Sequence, residues 1–237
     1  MKTNELELAT VDGPMRAFEA SPPDPRGAVI VVPEAFGLNE HIEGVATRYA
    51  DGGFCALGVD VFHRAGGGIA AYDDFKAALA LSVGLDDDGF LADLDAAIAH
   101  LESRGIAPSR QGIVGYCVGG RFSFLAALRR PLGAAISYYG GGIVQQGAFP
   151  ALPAIIDEVP SLRVPWLGFF GDLDRSIPSD DVATLRKALV DVGVPHEIVQ
   201  YPGANHGFNC DARSAYHAEA SADAFDRAVA WLTLHLR

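Results

Sequence analysis

Short apolar runs with no polar interruption recur along this chain, and each is followed within a few residues by a stretch of helical spacing. The run Ala28-Val29-Ile30-Val31-Val32 sets the pattern. A strand with one wet face alternates apolar and polar residues, so an unbroken, β-branched run belongs in a sheet covered on both sides. His41 to Ala50 then places Ile42, Val45, Ala46 and Tyr49 at helical spacing and stops at Gly52-Gly53, after which Phe54 to Phe62 reads as a second strand. This is a βαβ unit, the building block of parallel sheets. Further strands are expected at Gly112 to Tyr116, Ala134 to Tyr138, Val164 to Phe170 and His196 to Tyr201. Helices are expected at Asp86 to Ser103, Gly119 to Leu128, Asp180 to Asp191 and Ser214 to Leu236, the first opened by three aspartates at the positive end of its dipole. The alternation predicts an α/β fold with a mostly parallel central sheet and helices on both faces. Ahead of it, Leu6 to Ala9 and Met15 to Glu19 form a hairpin about Asp12-Gly13, and Ser21-Pro22-Pro23-Asp24-Pro25 is a stiff connection. A length of 237 residues suits one domain, 1–237, in which 1–25 are this hairpin and connection. Gly140 to Ser161 carries no clear helix or strand signal, which makes it a candidate lid or site wall.

Composition excludes several partner classes. With 30 Asp and Glu against 18 Lys and Arg the formal charge is −12, and basic residues occur only in isolated pairs, so no nucleic acid partner is expected. Apolar stretches are broken by Gly, Asp or Arg well short of a membrane span. Met1 to Ala9 has no basic segment followed by an apolar core, so it does not read as a secretory signal, and a cytoplasmic location is expected. Three cysteines, Cys55, Cys117 and Cys210, with no C-x-x-C spacing argue against a disulfide framework and a thiolate zinc site. The histidines lack H-x-x-x-H or H-x-H spacing, and no metal or cofactor is expected.

The most informative stretch is Ile113-Val114-Gly115-Tyr116-Cys117-Val118-Gly119-Gly120, an apolar strand that enters G-x-C-x-G and then a helix. A strand turning abruptly into a helix crowds its own backbone, so small residues are needed two positions either side of the turn residue. Gly115 and Gly119 meet that need. Such an elbow exposes the Cys117 side chain at a helix N-terminus, where the dipole and free N–H groups favour a thiolate and an oxyanion. The competing assignment, a packed and inert cysteine, is the common fate of a free thiol. A dinucleotide fingerprint fails, because Cys117 stands where G-x-G-x-x-G needs its second glycine.

A thiol nucleophile needs a base and an acid to orient it, expected later in the chain at strand ends. After Val164 to Phe170 comes Gly171-Asp172-Leu173-Asp174-Arg175-Ser176-Ile177-Pro178, which offers Asp174, with Asp172 as its competitor. After the strand ending at Tyr201 comes Pro202-Gly203-Ala204-Asn205-His206-Gly207-Phe208, which places His206 on the loop before the last helix. Glu34 follows the first central strand, in the loop that supplies the second oxyanion donor at such sites. The donors are then the N–H groups of Val118 and Ala35.

Taken together, Pro33-Glu34-Ala35-Phe36-Gly37-Leu38-Asn39, Gly115 to Gly120, Tyr138-Tyr139-Gly140, the Gly171 to Pro178 turn and Tyr201 to Phe208 resemble the dienelactone hydrolase family from Ile30 to about Leu236. The resemblance implies an α/β-hydrolase fold, a monomer, and hydrolysis of lactones or esters without a cofactor. It implies Cys117 as nucleophile, His206 as base, Asp174 as its orienting acid and Glu34 as the carboxylate that helps deprotonate the thiol when substrate binds. From the shared segments, Phe36, Tyr139 and Phe208 are the expected substrate contacts. The pattern departs at the arginines that hold a substrate carboxylate in dienelactone hydrolases proper. The place after the histidine reads Asn209-Cys210-Asp211, with Arg213 the nearest arginine, while Gly66 to Val83 offers only Lys76. Neither these nor Arg64 and Arg121 takes over the clamp by position, so a neutral lactone or ester is expected ahead of an anionic dienelactone. The alternative from another class is a non-catalytic or thiol-sensing protein in which Cys117 is modified and the pocket binds a ligand. A serine esterase using Ser137 or Ser176 ranks last, since neither lies in a G-x-S-x-G setting.

Overall fold

The computed structural model describes residues 1–236, and the β-branched runs do what their pattern demands. Strands β3 (Ala28–Val32) and β4 (Cys55–Val59) are buried at every residue. With β1 (Lys2–Thr10), β2 (Gly13–Ser21), β5 (Gln111–Tyr116), β6 (Ala134–Tyr138), β7 (Trp166–Gly171) and β8 (His196–Tyr201) they form an eight-stranded sheet in the order β1-β2-β4-β3-β5-β6-β7-β8. The six strands from β4 to β8 run parallel, and the hairpin β1–β2 joins antiparallel at the β4 edge. The hairpin is longer than its sequence signal, because Lys2↔Ser21 through Thr10↔Gly13 stay in register although β1 is largely exposed.

The connecting helices are α1 (Glu40–Asp51), α2 (Phe75–Leu81), α3 (Asp87–Ser103), α4 (Val118–Arg129), α5 (Ser179–Leu189) and α6 (Ala218–His235). Tyr49 on α1 meets Phe225 on α6 with ring centroids 5.1 Å apart, and Phe90 on α3 stacks on Phe122 of α4 at 4.1 Å. Aspartates cap the starts of α2 and α3, where Asp74 and Asp86 accept from Ala77 N–H and Gly89 N–H. The short α2 was not legible as a helix, since its seven residues make only about two turns and bury only Ala78. Among the described residues no helix is long and apolar enough to cross a membrane.

Strand order decides where a site is built. The chain steps outward from β3 to β4, then returns to β5 on the other side of β3 and continues to β8. The order therefore reverses between β3 and β5, and ligands of open α/β sheets bind in the crevice at the carboxyl ends of the strands flanking such a reversal. Glu34 follows one of those strands and Cys117 the other. A Cβ on Gly119 would lie 2.5 Å from Val32 O and 2.6 Å from Pro33 O, and one on Gly115 would strike Gly119 O. The start of α4 is thus pressed against the end of β3 with no room for a side chain. Gly119→Val should lower stability by about 2 kcal/mol or more, read as a lower urea midpoint at unchanged m. An unshifted midpoint would contradict this packing.

Candidate active site

Cys117 sits between β5 and α4 at φ 57° and ψ −117°, a backbone region costly for any residue with a Cβ. Its N–H donates to Tyr138 O at 3.0 Å, which ties the turn to the end of β6, and Gly120 fits close against Tyr138 O and Gly140. The strained turn leaves the thiol half-buried rather than packed, at the first turn of α4, where backbone N–H groups have no partner within the helix. Val118 opens that helix. Across the crevice, Glu34 and Ala35 occupy a turn closed by Gly37 N–H donating to Glu34 O at 3.2 Å.

The other two chain ends are laced together. Asp172 N–H donates to Tyr201 O and Leu173 N–H to Ala204 O, while Asp172 Oδ1 accepts from Gly203 N–H at 2.7 Å. Asp172 thereby joins the loops after β7 and β8, and Asp174 points inward instead. Asp174 Oδ2 lies 2.7 Å from His206 Nδ1, and its Oδ1 accepts from Ser176 Oγ at 2.6 Å and Ser176 N–H at 2.9 Å. Ser176 Oγ is also 3.2 Å from His206 Nδ1, so it sits on the Asp174 side of the ring. With Nδ1 engaged, Nε2 is the ring nitrogen left for the Cys117 thiol, which lines the same cavity as His206.

Electrostatics follow this geometry. Burial works to lower the pKa of His206, but the Cys117 charge beside it and the Asp174 hydrogen bond overcome that and push it up to about 10. Burial likewise opposes ionisation of Asp174, yet the His206 and Ser176 contacts hold its carboxyl below the usual range.

Arginine is the residue that sequence reasoning misplaced. Arg121 is buried and fully used by Asp87, at 2.5 and 3.1 Å, and by Pro153 O and Gly142 O, so it anchors the irregular loop to α3 and α4. Arg64 is held by Asp12 and Asp93. Arg213, by contrast, folds back over Gly207, where no Cβ would fit, and its Nη1 reaches Glu34 Oε1 at 3.3 Å. Glu34 is 1% exposed. Burial works against the Arg213 charge, but Glu34 and Cys117 keep the guanidinium firmly protonated. Counting residues from His206 placed Arg213 too far along; the turn in which Arg213 N–H donates to Cys210 O brings it back. Gly207 directly after the histidine was the available signal.

An apolar cavity of about 170 Å³ opens beside Cys117 and His206, lined by Phe75, Val118, Phe149 and Leu152 among others. Gly140 to Leu152 is therefore a wall of the crevice. Phe36, Tyr139 and Phe208, expected to touch substrate, do not line this cavity. Each is buried in a second layer: Phe36 against Tyr72 beneath Arg213, and Tyr139 and Phe208 edge-to-face behind His206. Phe75 and Phe149 line the cavity instead, because they lie on α2 and the loop, which fold over the strand ends.

The model of the dienelactone hydrolase family matches residues 15–236. The chain belongs to the dienelactone hydrolase family. A Yersinia pestis relative named "putative carboxymethylenebutenolidase" is 36% identical over 237 residues, covering 98% of this chain and 88% of its own. A Bradyrhizobium relative named "probable 2-oxo-3-(5-oxofuran-2-ylidene)propanoate lactonase" is 32% identical over 210 residues, covering 88% and 84%. The crystal structure of a "putative dienelactone hydrolase" from Klebsiella pneumoniae subsp. pneumoniae MGH 78578 superposes with a TM-score of 0.88 at 33% identity over 98% of both chains. This dienelactone hydrolase family member is a hydrolase of that type on an α/β-hydrolase fold.

Proposed function

We propose that this protein hydrolyses small lactones or esters through a thioester on Cys117. The observation that carries the reading is Cys117 at the point where strand order reverses, sharing one cavity with His206, whose Nδ1 lies 2.7 Å from Asp174. When substrate binds, the Cys117 thiol gives up its proton, which is delivered to His206 Nε2, and the imidazolium–thiolate pair so formed is the reacting species. The Cys117 Sγ attacks the carbonyl carbon, and the oxygen that gains the electron pair is held by the N–H groups of Val118 and Ala35. Collapse breaks the C–O bond, and the departing alkoxide takes the proton from His206 Nε2. Acylation removes the thiolate charge, the largest cause raising the His206 pKa, so the ring becomes a competent base when water must be deprotonated. Hydroxide adds to the thioester, the acid leaves, and the thiolate returns.

Arg213 refines the substrate class. It is the one site arginine whose partner, Glu34, is itself a candidate for a catalytic role, and an anionic group on the substrate competes with Glu34 for the same guanidinium. A released Glu34 then stands free to accept a proton near the thiol. This favours a lactone or ester that carries a carboxylate, in accord with the propanoate in the Bradyrhizobium relative's name. The test is a matched pair of aryl esters, one with a terminal carboxylate on the acyl chain and one neutral. The wild type should prefer the acid by kcat/KM, and Arg213→Gln should erase at least about tenfold of that preference. Equal ratios in both proteins would remove Arg213 from substrate recognition.

A further inference from the structure

Away from the crevice, the start of α1 faces the loop that leads from His206 to Arg213. The His41 imidazole, the Cys210 Sγ and the Asp211 carboxylate come together there, with no two ligand atoms more than 4.8 Å apart. We propose that these three side chains form a binding site for a thiophilic divalent ion of the zinc type, separate from the hydrolytic residues.

The argument rests on geometry and on unmet bonding capacity. His41 Nδ1 lies 3.3 Å from Asp211 Oδ1. That is long for a charge-assisted hydrogen bond, which settles at about 2.7–2.9 Å. It matches the N···O edge of a tetrahedral site, about 3.3 Å for zinc bonds of about 2.0–2.2 Å. The corresponding edge to sulfur is about 3.6 Å, so the widest separation closes by about 1 Å on binding. The other ring nitrogen, Nε2, is buried without a partner, although the His41 side chain is only 10% exposed. Cys210 is a free, buried thiol whose present neighbour is the Tyr72 hydroxyl.

Access and ligand type agree. His41 and Asp211 line a cavity of about 680 Å³, and Asp211 is 76% exposed, so an ion reaches these two ligands from solvent and meets the buried Cys210 behind them. A thiolate, an imidazole and a carboxylate select zinc-like ions over calcium or magnesium, which take oxygen ligands. Binding displaces the thiol proton to solvent and leaves a fourth position on the cavity side. Spacing along the chain does not reveal this set, because His41 stands on α1 while Cys210 and Asp211 follow β8. A bound ion would pin α1 to the loop that carries Arg213.

Cobalt is a suitable probe, since Co²⁺ bound to a thiolate absorbs in the near ultraviolet. Titration of the reduced, chelator-treated full chain should give this band at one equivalent, and zinc should bleach it. The band should persist in Cys117→Ala and vanish in Cys210→Ala. His41→Ala and Asp211→Asn should bind at least about tenfold more weakly, and Asp211 is exposed enough for its variant to fold if Cys210→Ala does not. No band in the wild type would overturn the proposal. A band lost in Cys117→Ala but kept in Cys210→Ala, or unchanged in Asp211→Asn, would overturn it equally by moving the ion elsewhere.

Discussion

Cys117→Ala should lose at least about 10³-fold in kcat on any ester the wild type turns over, with the fold intact by circular dichroism. The size follows from the role: removing a nucleophile leaves only the binding site and oxyanion donors, and those alone give a small part of the total acceleration. The substitution has a second, independent readout. The Cys117 charge is the largest influence raising the His206 pKa, so deleting it should move the imidazole titration downward from about 10, measurable by NMR. A variant within about tenfold of wild-type activity would remove Cys117 from the nucleophile's place.

Asp174→Asn should cost about 10³- to 10⁴-fold in kcat, through the ring rather than through the substrate. The 2.7 Å contact at Nδ1 fixes which nitrogen faces the thiol, and the burial of Asp174 makes its negative charge effective. An amide offers Ser176 and His206 a similar shape without that charge, so the ring loses both its tautomer and part of its raised pKa. The sign of the pH effect follows. In the wild type the His206 proton adds stability that is fully present below pH 6.5, the ordinary histidine value, and is lost as pH rises through about 10. In Asp174→Asn that loss should begin at lower pH. Asp172→Asn is the control, since its carboxylate accepts from Gly203 N–H rather than facing His206, and the variant should retain most activity.

The strands, the elbow and the order of Asp and His along the chain were legible because each rests on local rules. Unbroken apolar runs marked the strands, and two glycines flanking a cysteine marked a turn that permits no side chain at Gly115 or Gly119. The choice between Asp172 and Asp174 was not local. It depends on the Tyr201 and Ala204 carbonyls that pin the loop and turn one carboxylate outward. The same limit explains Arg213 and the aromatic residues. A side chain's reach is set by the path of the backbone between it and the site. The Cys210 to Arg213 turn shortens that path, and Phe36, Tyr139 and Phe208 rotate into the second layer. Only packing of the whole sheet places α2 and Phe149 over the crevice.

The central claim is that Cys117 itself takes the acyl group. Mixing the enzyme with a short aryl ester, quenching in acid within the first turnovers and mapping the digested peptides by mass tests it directly. The account expects the acyl mass on the peptide bearing Cys117, appearing with a burst of the leaving group and absent in Cys117→Ala. An acyl group on another residue, or a wild type inert to esters and lactones whose Cys117 is instead oxidised by peroxide, would contradict it.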